Sequence, residues 1–286
     1  MRYTNFRQNA AHRGTCLTNE QWSALYLALA VVSPLLLIPG FCIWRVFFDV
    51  MHCLDLGVYQ LAVPSVMQEL TSAPGVFPGA SVDDRYAAAY REYRLWCKTR
   101  RVKAVIGKRF TRKVWRKSSN VYPRISQLSA KAAALRSMTY WVDKVLRERA
   151  NVGAEVRATM ISSFVRADHV CRVSGRHLSV AQHRALCQNL EAALTSYNLL
   201  ASEALVANKR LYKIIPKFHA VTHTYDLAIN PRRVTCYQDE DMVGRMKAIY
   251  VKCHGSTAPM RSLQRYCVLV CIRWWELLRV LRGVPL

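Results

Sequence analysis

The sequence predicts a mainly α-helical fold with a few strands, an α+β arrangement, from three features. Apolar residues recur at helical spacing over long segments, most regularly over 179–209, where Leu186, Leu190, Leu194, Tyr197 and Leu200 fall near one face. A run of aromatic and β-branched residues at 41–48, FCIWRVFF, reads as a buried strand. Hydrophobic residues make up 52% of 286, enough to bury a sizeable core, which excludes global disorder.

In chain order, residues 1–18 form a polar, basic arm with Arg2, Arg7 and Arg13. Thr18–Gln21 offers capping residues ahead of an apolar run. No charge occurs between Glu20 and Arg45, so the stretch at about 24–44 is long enough to span a bilayer. Pro34 removes a backbone donor within it and Pro39-Gly40 reads as a turn. The favoured reading is therefore a short core helix and then the strand, with a single membrane span as the alternative. The strand ends at Asp49, and an apolar helix follows from about Val58 to Leu70. The Pro/Gly-rich TSAPGVFPGAS at 71–81 reads as a linker to residue 82. Asp83-Asp84 caps the next helix, where Tyr86, Tyr90, Tyr93 and Trp96 form a stripe that reads as core packing. Further helices are expected at 126–149, 155–172 and 179–209, then a loop at Asn230-Pro231 and a final helix over Leu263–Leu281.

The charge balance is lopsided: 42 Lys+Arg against 18 Asp+Glu, a formal +24. Such a chain repels itself unless a polyanion is its partner. DNA or RNA comes first and an anionic membrane surface second. Between Tyr93 and Val142 there is no acidic residue, while Lys98, Arg100, Arg101, Lys103, Lys108, Arg109, Arg112, Lys113, Arg116 and Lys117 crowd one part of that window. Solvated helix faces mix signs, so a one-sign block points to phosphate contact. Trp115 and Phe110 lie among the cations and suit base stacking; a locally disordered basic loop is the plainer reading. Lys108-Arg109 and Arg112-Lys113 are short basic clusters of the kind nuclear import reads. No small-molecule substrate is indicated.

Ten cysteines are scattered with no CxxC pair, which fits reduced, buried side chains; Cys267 and Cys271, in an apolar run, read as core. His219 and His223 stand four apart, as in zinc proteases, but Ala220 follows His219 where a Glu would be needed and no third ligand is evident. The acidic residues that stand out are Asp49 and Asp239-Glu240-Asp241. Such carboxylates either hold Mg²⁺ or cap helices and neutralise nearby Arg.

Two segments carry a resemblance. Pro39-Gly40-Phe41 and Arg45 through Gly57 (RVFFDVMHCLDLG) resemble the "D-x-M-H-x-x-x-L-G" segment of CACTA and Kyakuja-Dileera-Zisupton transposases. PKFHAVTH at 216–223, followed by CYQDEDMVGRMK at 236–247, is similar to their "K-x-H-x-x-x-H" and "E-x-x-x-G-x-x-K" segments. The resemblance implies a ribonuclease-H-like core with a helical insertion. On it, 19–70 is one core segment, 83–209 the basic helical insertion and 210–286 the segment with the last acidic motif. Glu240 takes the place of the third catalytic acid, Asp49 and His52 that of the Asp-x-x-His motif, and His219, His223, Gly244 and Lys247 that of supporting positions. Mg²⁺ is implied as cofactor only for a complete site in a longer protein. The family's first two aspartates are expected upstream of Asp49, yet the 48 residues before it contain no Asp. One carboxylate cannot hold a metal pair. The expectation is thus a truncated, catalytically inactive, transposase-derived protein that binds nucleic acid non-specifically. An unrelated basic DNA- or RNA-binding module is the alternative.

Overall fold

The computed structural model describes residues 5–10, 20–21, 24–25, 48–103, 105–116, 118, 120–149, 154–226 and 228–281. It divides into two compact units, Met1–Val234 and Thr235–Leu286. The expected linker at 71–82 lies inside the first. The expected strand at 41–48 lies outside the described residues except for Phe48, as does the run at 24–44 except for Ala24 and Leu25, which are helical. Among the described residues no helix is long and apolar enough to cross a membrane.

The first unit is helical. A π-helical turn, Met51–Val58, runs into α1, Tyr59–Ser72. It is followed by α2 (Val82–Thr99), the short α3 (Arg112–Trp115), α4 (Ala132–Arg149), α5 (Glu155–Val173), α6 (Val180–Val206) and α7 (Pro216–Thr222). Capping boxes at Ser81/Asp84 and Ser179/Gln182 start α2 and α6. The only pairing of extended chain among the described residues is an isolated antiparallel bridge, His177 with Ile229. This overturns the α+β expectation and with it the ribonuclease-H-like core. Such a core needs a central sheet, whereas the described chain is all-α. Residues 83–209 are no insertion into a sheet; they supply most of the hydrophobic core.

Pro64 sits within α1 and cannot donate to the Gln60 carbonyl one turn back. The Ile125 backbone N–H donates to that carbonyl instead, at 3.2 Å, while the Arg124 guanidinium donates to Gln60 Oε1. A proline that would weaken an isolated helix thus ties α1 to the chain before α4. The 71–81 stretch also docks: Phe77 is buried, stacks on Trp141 of α4 at 6.1 Å, and lies under the Arg149 guanidinium. In the aromatic stripe of α2, Tyr86 and Tyr93 are buried while Tyr90 and Trp96 pack at the core's edge, as the spacing predicts.

The second unit holds α8 (Tyr237–Tyr250) and α9 (Ala258–Leu281), joined through a 3-10 turn at Gly255–Thr257. Cys267 and Cys271 are exposed on α9 rather than buried. Cys53, Cys97, Cys171 and Cys187 are the buried ones, and all the described cysteines are free thiols. Helical spacing located α9 but could not say which stripe finds a partner: Leu263, Val268, Ile272, Trp274 and Trp275 are exposed as well.

Candidate functional site

Asp49 to Gly57 of the first motif segment and Pro216 to His223 of the second meet within the first unit. Asp49 caps the π-helical turn: its carboxylate accepts from the backbone N–H of Met51 (3.4 Å) and of His52 (3.0 Å). It also pairs with His52 Nδ1 at 2.6 Å. Across from it, α7 begins with Pro216 at its first position, which costs no hydrogen bond there. Lys217 Nζ donates to the Leu56 carbonyl at 3.2 Å, over Gly57. A Cβ at position 57 would come within 2.7 Å of Lys217 Cδ and 3.0 Å of the His52 carbonyl oxygen, so a larger residue there would have to displace the Lys217 side chain. Phe48 stacks on His223 at 4.9 Å, and the His219 and His223 rings meet edge to face at 5.0 Å. Asp49, His52, His219 and His223 are therefore brought to one joint between the π-helical turn and α7. The Asp49 carboxylate accepts from two backbone N–H groups and pairs with an imidazole, the arrangement of a capped turn. Glu240, Gly244 and Lys247 lie on α8, in the second unit.

Sequence reasoning missed the charge cluster beneath this joint. Asp55, inside the DVMHCLDLG segment, is fully buried, and so is Asp168 of α5. Arg232 lies between them. It donates bidentately to Asp55 at 2.5 and 2.9 Å, and through Nε to Asp168 at 2.8 Å. Tyr140 of α4 donates to the other Asp168 oxygen at 2.7 Å. Burial, and then the Asp168 carboxylate, push the Tyr140 phenol up to about 12. Burial alone disfavours the charged Arg232, but Asp55 and Asp168 outweigh it and hold its pKa above the usual arginine value. Asn230 sets the arginine in place: its Oδ1 accepts from the Arg232 N–H, and its Nδ2 donates to the Cys171 and Gly175 carbonyls at the end of α5. The signal available in the sequence was an Asp flanked by Leu54 and Leu56 in an apolar stretch, a setting in which a carboxylate needs a partner.

The basic segment is ordered by its apolar residues. The Ile106 N–H donates to Tyr93 Oη at 3.1 Å, and the Tyr90 hydroxyl donates to the Gly107 carbonyl at 2.9 Å. Phe110 is buried among Tyr90, Tyr93 and Trp115. With these anchors inside, Lys98, Arg100, Arg101, Lys103, Lys108, Arg109, Arg112 and Lys113 all face solvent. Among the described residues only Arg112 of this set has a carboxylate within salt-bridge reach, Asp83 at 3.7 Å. Arg116 is half-buried and donates to the Val121 carbonyl; Lys117 lies outside the described residues. Trp115 is completely buried, so the expected base stacking on it is corrected: the ring belongs to the core.

No family model, no curated protein and no solved structure matches this chain.

Proposed function

We propose that this chain binds nucleic acid non-specifically, through the phosphate backbone, on the surface carried by residues 98–113. The observation that supports it is the sorting of that segment: eight cations exposed, while Phe110 among them and Trp115 just after them are buried. A surface that offers charge without exposed stacking rings recognises phosphate and carries no base-reading pattern. The net charge of +24 supplies long-range attraction for the same partner, and the nucleus is the expected compartment. The reading includes no strand-transfer chemistry. Descent from a transposase rests on the residue pattern of the two motif segments alone, and the helical fold lends it nothing.

The test is the affinity for a random-sequence DNA duplex measured by fluorescence anisotropy across a salt series. Log affinity is expected to fall linearly with log salt. In the variant Lys108→Glu/Arg109→Glu/Lys113→Glu the slope should lose about 0.9 per phosphate contact removed. Arg184→Glu, an exposed charge change on α6, should lower it far less. A triple variant that binds like the parent, with the same slope, would remove the segment from the interface.

A further inference from the structure

We infer that the cleft between the end of α2, the middle of α4 and the end of α5 is a binding site for a phosphomonoester group, as found on a nucleoside monophosphate or at the 5′ end of a nucleic-acid strand. The cleft has a volume of about 540 Å³ and is lined by Trp96, Arg100, Val102, Lys103, Arg136, Ser137, Tyr140 and Arg172. That size suits a ligand of nucleotide class. Four of the lining residues are cations and none is a carboxylate. Four cations around one hollow offer an anion several charge-assisted donors at once, and a phosphomonoester concentrates nearly two negative charges in one small group.

The local structure that builds the cleft can be traced. α2 ends in a turn that places Arg101, a non-glycine residue, at φ 52°, in the left-handed region. The Arg101 N–H donates to the Lys98 carbonyl at 3.2 Å and the Val102 N–H to that of Cys97 at 2.9 Å, closing the helix end. That turn reverses the chain so that Arg100 and Lys103, on its two sides, line the same hollow as α4. On the far wall, Arg172 stands over the Tyr140 ring at 5.8 Å. Tyr140 is itself fixed by Asp168, and Asp168 by Arg232. The cleft is thus backed by the buried charge cluster, and its aromatic wall is held in place before a ligand arrives. Trp96, beside Arg100, supplies an apolar face next to the cations for a base or sugar.

The inference rests on the nucleic-acid reading only where the ligand is a strand end, and its key arginines, Arg136 and Arg172, lie outside the 98–113 segment. The experiment titrates the full chain with adenosine and adenosine 5′-monophosphate by calorimetry, and with one oligonucleotide carrying either a 5′-phosphate or a 5′-hydroxyl by anisotropy. The phosphorylated member of at least one pair should bind about tenfold tighter or more, the scale of one or two charge-assisted hydrogen bonds. A preference in the mononucleotide pair assigns the site to free nucleotides, and one in the oligonucleotide pair assigns it to strand ends. Arg136→Gln/Arg172→Gln should abolish the preference and leave the salt slope for duplex DNA largely in place. Should that variant fold poorly, Arg100→Gln/Lys103→Gln, at exposed positions, tests the same cleft. Affinity should also rise as the pH passes about 6, where a phosphomonoester gains its second charge. No preference in either pair, or a preference that survives both double variants, overturns the proposal. Loss of duplex binding alongside an intact mononucleotide preference overturns the nucleic-acid reading and leaves this one standing.

Discussion

At the scale of single residues, Arg232 decides most. Its guanidinium lies between two buried carboxylates, Asp55 on the π-helical turn and Asp168 on α5, and so joins segments far apart in sequence. A bidentate arginine suits this position because its planar fork addresses Asp55 with two donors while Nε reaches Asp168. Buried ion pairs contribute little net stability when intact, but removing one partner strands a charge in the core. Arg232→Met should therefore destabilise the first unit by about 3–5 kcal/mol in urea unfolding. Arg232→Lys, which cannot serve both carboxylates with one geometry, should fall between. Adding Asp55→Asn to Arg232→Met should recover part of the loss, since it removes one stranded charge. If the melt of Arg232→Met stays within about 1 kcal/mol of the parent, the cluster is solvated in solution and its role as a tie is wrong.

At the scale of elements, the basic segment depends on an anchor of opposite character. Phe110 is 2% exposed and makes ring contacts with Tyr90, Tyr93, Trp115 and Trp141, which hold 105–116 against α2 and α4. Phe110→Ala should cost about 3–5 kcal/mol of stability, the usual range for truncating a buried aromatic. It should also weaken duplex binding under conditions where the protein is still folded, because the cations then lose their common frame. Circular dichroism and anisotropy on the same sample separate the two effects; unchanged affinity in a folded Phe110→Ala protein would show that the charges act without the frame. Much of the helical layout was legible at this scale. The α5 and α6 periods and the Tyr86/Tyr93 stripe translate directly into buried faces, since helical spacing and burial are the same information. α4 starts at Ala132, not 126, because Ser126–Ala130 closes a turn of its own. The motif segments misled about the sheet for a physical reason. Asp-x-x-His, Leu-Gly and Lys-x-His specify a capped turn, a glycine under a lysine and a helix start, and these local contacts need no sheet beside them. The cleft was illegible because Arg136 and Arg172 meet Arg100 and Lys103 only through the packing of three helices.

At the scale of the whole molecule, the excess of positive charge sets a prediction that no single contact carries. With 42 basic against 18 acidic side chains, the folded chain concentrates repulsion that the expanded chain relieves. Salt should relieve it too. The screening length shortens from about 30 Å at 0.01 M to about 8 Å at physiological ionic strength. Thermal unfolding temperature should therefore climb over that range, opposite in direction to the loss of duplex affinity over the same range. A short DNA duplex added at low salt should raise it as well, because a ligand that prefers the folded state stabilises it by mass action. The two effects should not add: once salt has displaced the duplex, only screening is left. A Tm that is flat in salt would mean that the cations are already spaced beyond one another's reach. The reading of the 98–113 surface and of the cleft as places where charge is concentrated for a phosphate partner would then lose its energetic basis.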